Sequence, residues 1–121
     1  MKTVVEYLED SLALAKTECD THRQIFADFT KAALEANYKL AGLTEMTRNV
    51  NASFALVYAH NRILLEAKAR NAPTYQWAIE KVKDIIACLA YDVDQAYVVE
   101  QIRAFRKILT FLEEKVDNIT R

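Results

Sequence analysis

The chain has 121 residues, a formal net charge of −1, one glycine and one proline. That length suits a single hydrophobic core, and so few breakers cannot supply the turns of an all-β or α/β fold. The near-neutral balance excludes a global pull toward nucleic acid or an anionic surface.

The sequence therefore predicts an all-α antiparallel helical bundle: a long helical hairpin plus a C-terminal helical region bent or broken near 91–94. One domain over 1–121 is expected, with helices at about 3–41, 45–71, 74–91 and 93–119.

The first predicted helix carries an apolar heptad through Val5, Leu8, Leu12, Ala15, Cys19, His22, Phe26, Phe29, Ala33, Ala36 and Leu40. A seven-residue repeat held in phase favours a left-handed, coiled-coil-like supercoil with a partner helix. Thr21 followed by Gln24 forms a capping-box pattern that competes with continuity, but the apolar stripe crosses it in register. Gly42 supplies the C-terminal stop, and Thr44 offers a cap for the next helix. A tight turn about Leu43 would set His60 level with Phe26, and His22 level with Leu64.

The central stretch, residues 49–69, has almost no polar face. Val50, Val57 and Leu64 form a heptad seam with Met46, Ser53, His60 and Ala67 between them, widened by Phe54, Leu56, Ile63 and Leu65, while Ala52, Ala55 and Ala59 read as an outward column between Arg48 and Arg62. A helix so apolar must be enclosed, by its own chain or by a second copy. Pro73 ends it, because proline cannot donate to a continuing ladder and pushes Ala72 out of helical geometry.

From Thr74 the pattern resumes with Ile79, Val82, Ile86, Leu89 and Val93. A second stripe follows at Val98, Ile102, Phe105, Leu109, Leu112, Val116 and Ile119. The step from Leu89 to Val98 turns the stripe by about half a revolution at roughly 100° per residue. Asp92 with Gln95 makes another capping box, so a break is expected there.

No run reaches the roughly 20 apolar residues of a membrane span. Glu6, Glu9 and Asp10 interrupt any leader-like apolar run, and the two distant cysteines read as reduced thiols of a cytoplasmic protein.

Cys19, His22 and His60 are the candidates for metal ligands. The bland alternative, a small core thiol and two buried histidines that fix register, carries more weight because a fourth ligand is missing. Di-iron bundles need Glu-x-x-His pairs, and none occurs in the sequence. A phosphotransfer histidine needs an open site, yet Ile63 and Leu64 follow His60. With one glycine the chain cannot wrap its backbone around a phosphate, and no Ser/His/Asp set is evident. No cofactor is implied, and the expectation is a non-enzymatic protein.

Two surface readings remain. Arg62, Lys68, Arg70, Lys81 and Lys83 with Trp77 could grip a nucleic-acid strand, although the following acidic block opposes it. The favoured reading is a protein–protein interaction module, a homodimeric regulator, inhibitor or assembly factor. Its interface is expected where the long arms outrun the central helix: Val5, Leu8 and Leu12 at one end, with Leu109, Leu112, Val116 and Ile119 at the other.

Overall fold

The computed structural model describes residues 2–35, 43–71, 73–91 and 98–120. It is an all-α bundle of α1 (Val4–Glu35), α2 (Leu43–Ala69), α3 (Tyr75–Ala90) and α4 (Val98–Thr120). Among the described residues, no helix is long and apolar enough to cross a membrane.

Helix α1 is continuous through Thr21, whose hydroxyl donates to the Thr17 carbonyl at 3.0 Å and so serves the helix interior instead of a cap. Its apolar stripe faces inward as the heptad requires: Leu8, Leu12, Ala15, Cys19 and Ala33 are buried.

The contacts between α1 and α2 set a hairpin register other than that of a fold about Leu43. Glu9 pairs with Lys68 at 3.5 Å, Ser11 meets His60, and the Arg23 guanidinium lies over the Phe54 ring. His60 is therefore level with Ser11, not with Phe26. Gly42 and its neighbours from 36 to 42 lie outside the described residues, and Thr44 falls within α2 instead of capping it.

At the next corner α2 ends at Ala69, and Thr74 caps α3 by accepting a hydrogen bond from the Trp77 amide at 3.0 Å. Tyr75 ties this corner to the chain's start, its hydroxyl donating to the Lys2 carbonyl at 3.0 Å. Helix α3 ends at Ala90 with Tyr91 as its C-cap, so the C-terminal region is divided as the stripe mismatch requires. The Asp92–Gln95 capping box lies outside the described residues.

Lys81–Glu66 at 3.2 Å and Arg70 over Trp77 set α3 antiparallel to α2. Arg62 over Phe105, with Lys107 and Phe111 beside His60, sets α4 parallel to α2.

One cluster of buried side chains joins all four helices, with Leu8, Ile63, Val82, Phe105, Ile108 and Leu112 at its centre. This corrects the expected uncovered arms. Leu8, Leu12 and Leu112 are buried, and Val5, Leu109 and Val116 pack against them. The shifted register lays the start of α1 along the end of α2, where the end of α4 and the start of α3 also arrive. The side chain of Ile119 lies outside the described residues.

Helix α2 buries the His60, Leu64 and Ala67 part of the expected seam, but not every position expected to widen it. Ala59, His60, Ile63, Leu64 and Ala67 form its buried face, and Val50 and Val57 are half-buried. Ala59, expected outward, is fully buried, whereas Phe54 and Leu65 are 48% and 73% exposed. Three neighbouring helices converge on the small-residue side, because only there can their backbones approach closely.

Candidate functional site

The buried polar centre of the molecule is His60, just 1% exposed. Its Nδ1 lies 2.7 Å from the Leu56 carbonyl and its Nε2 lies 2.7 Å from Ser11 Oγ. A carbonyl only accepts, so Nδ1 carries the proton. In the neutral ring Nε2 then accepts from the Ser11 hydroxyl. Burial holds the imidazole pKa below its ordinary value, with the Leu56 carbonyl opposing only in part.

Both ring nitrogens are thus committed, which removes His60 from the expected ligand set. Cys19 is buried, and burial pushes its thiol pKa up, against the thiolate that a metal requires. His22 is half-buried on α1. Among the described residues no group of three or more His, Cys, Asp or Glu side chains could hold a metal ion. Cys19, His22 and His60 are not brought together, because the hairpin register that would align them does not form.

Sequence reasoning missed Ser11 altogether. Its only signal was its place on the flank of the α1 stripe, and a fold about Leu43 does not bring it level with His60.

Above the Ser11–His60 pair lies a slot of about 600 Å³ between α1 and α4. Leu14, Ala15, Leu56 and Phe111 give it an apolar lining, and Lys107, Lys115, Lys2, Asp10 and Glu18 stand around it. Lys2 is already paired with Asp10, and the Lys115 ammonium lies 5.9 Å from the centre of the Tyr7 ring. A second cavity of about 540 Å³ between α2 and α4 shares Leu56 and Lys107 with the slot and adds Arg48, Arg103 and Glu100.

The expected nucleic-acid surface is not a free basic patch. Lys68 and Lys81 form ion pairs with Glu9 and Glu66, while Arg62 and Arg70 lie over the rings of Phe105 and Trp77. Lys83 is exposed on α3.

The outward side of α2 carries a different feature. Asn51, Phe54, Tyr58, Asn61 and Leu65 are all exposed and recur at alternating steps of three and four residues. That spacing is an a/d seam on one face of a helix. Arg23 of α1 flanks the seam beside Phe54, and Glu100 and Gln101 of α4 flank it on the other side, lining a hollow with Asn51, Phe54, Ala55 and Tyr58.

Comparison with protein-family models, curated proteins and solved structures found no match to this chain.

Proposed function

We propose that the chain is a non-enzymatic protein–protein interaction module that pairs with a second copy of itself through the outward seam of α2. The observation that carries this reading is the exposed heptad of Phe54, Tyr58 and Leu65, interspersed with Asn51 and Asn61. Apolar side chains at heptad spacing bury most area when a second helix supplies the complementary seam.

The flanks support a parallel two-fold arrangement. An axis along α2 brings the α1 edge of one protomer against the α4 edge of its partner at the same height. Arg23 of one chain then faces the partner's Glu100, and each chain satisfies the other by symmetry. An antiparallel pairing would instead set α1 against α1. Asn61 at a seam position fits the same reading, since a buried asparagine pair specifies register and strand number at some loss of stability.

The test is the mass in solution by light scattering across a concentration series. We expect twice the chain mass of 13.9 kDa for the unaltered protein, falling to one chain mass for Tyr58→Glu with Leu65→Glu. Circular dichroism of that variant should keep the helical signal, because both side chains lie outside the core. A monomeric unaltered protein, or a variant that still dimerises, overturns the proposal.

A further inference from the structure

The slot between α1 and α4 lies on the opposite side of α2 from the seam, and its chemistry is of another kind. Its volume of about 600 Å³ falls within the roughly 300–1,000 Å³ typical of small-molecule sites.

The floor offers little to a charged group. The Ser11 hydroxyl and the His60 Nε2 already satisfy each other, and burial keeps the imidazole neutral. The walls are apolar, and Leu14 and Phe111 remain 68% and 44% exposed. A ligand that reaches this depth without leaving a polar group unpaired must be apolar at its inner end.

Charge collects where the slot joins the neighbouring cavity. Lys107 lines both, and Arg48 and Arg103 stand with it against Glu100 and Glu18. Among the described residues none of these three cations is held in an ion pair. Arg106 continues the basic surface along α4.

We propose that this slot binds a single-chain anionic amphiphile, with its hydrocarbon tail between α1 and α4 and its carboxylate or phosphate head at Lys107, Arg103 and Arg48. A guanidinium presents paired donors that match either oxyanion, and Lys107 adds a point charge at the junction. The apolar walls hold the tail, and the cations select the head.

Calorimetric titration of the full chain with dodecyl phosphate, dodecanoate and dodecanol, each below its micelle threshold, tests this. At least one of the anions should bind saturably and roughly tenfold more tightly than the alcohol. The better anion identifies the head. Amide resonance shifts should centre on Ser11, Leu14, Leu56 and Phe111.

Arg103→Glu with Lys107→Glu, both exposed positions, should erase the preference for anions while leaving the helical signal unchanged and dodecanol still bound saturably. Phe111→Asp should weaken all three ligands. Inorganic phosphate alone should not displace dodecyl phosphate at equal concentration. Neither anion binding more tightly than the alcohol, displacement by free phosphate, shifts confined to Phe54, Tyr58 and Leu65, or no saturable binding each overturns the assignment.

Discussion

Ser11 and His60 stand 49 residues apart in sequence, and their side chains meet at 2.7 Å where α1 crosses the buried face of α2. The pair fixes the hairpin register, because sliding α1 by one turn would leave an imidazole nitrogen unpaired in the core. Removing only the hydroxyl strands that nitrogen, so Ser11→Ala should cost about 1–3 kcal/mol. Adding His60→Leu to Ser11→Ala should recover most of the loss, since both polar partners are then gone. Urea unfolding of the two variants decides this, and a double variant less stable than the single one refutes the register role.

The same histidine makes stability depend on pH. Its folded pKa lies below the ordinary 6.5, chiefly because burial disfavours the charged ring. The unfolded chain therefore takes up a proton before the native one does. This contribution is complete above pH 6.5 and is lost as pH falls toward the lowered folded value, with a slope of at most about 1.4 kcal/mol per pH unit. Denaturation midpoints between neutral and mildly acidic pH should fall for the unaltered protein and change less for His60→Gln.

Leu8 and Leu14 share α1 and differ in what covers them: Leu8 is fully buried and Leu14 is 68% exposed. Leu8→Ala should lose about 2–5 kcal/mol through lost burial and the cavity left behind. Leu14→Ala should stay within about 0.5 kcal/mol. Equal losses at the two positions would contradict the burial of Leu8 in the core beside an exposed Leu14. Phe105→Ala, at another fully buried site, should cost about 3–5 kcal/mol.

Thr74 satisfies the Trp77 amide at the head of α3. Thr74→Ala should cost about 1 kcal/mol, and Thr74→Ser should retain most of that capping. Thermal unfolding of both variants checks the role of the hydroxyl against that of the methyl group.

If α2 pairs in parallel, each seam residue faces its own copy. Leu65→Cys, in a chain with the exposed Cys88 replaced by serine, should then cross-link to itself under mild oxidation. An antiparallel pair centred on Tyr58 would keep the two thiols too far apart to bridge.

Much of the architecture was legible because it follows from backbone chemistry. The scarcity of glycine and proline excludes strands, the α1 heptad selects its buried face, and the half-turn between Leu89 and Val98 requires the division that α3 and α4 display. Helix rotation was harder to read. On α2 nearly every position is apolar, so periodicity alone could not separate Ala59, which neighbours approach closely, from Phe54, which they leave outside. The polar pair was hidden for another reason: a heptad held in phase does not fix how far one helix slides along the other, and the α1–α2 register differs from a fold about Leu43. The same displacement turned the expected interface residues Leu8, Leu12 and Leu112 into core.

The chain has one tryptophan, Trp77, and the Arg70 guanidinium lies 4.9 Å from the centre of its ring at the corner joining α2 to α3. Its emission is consequently a built-in optical gauge of that corner alone. Ligand entry or self-pairing elsewhere should leave the spectrum nearly still, while loosening of the α2–α3 joint should register at once without any attached dye.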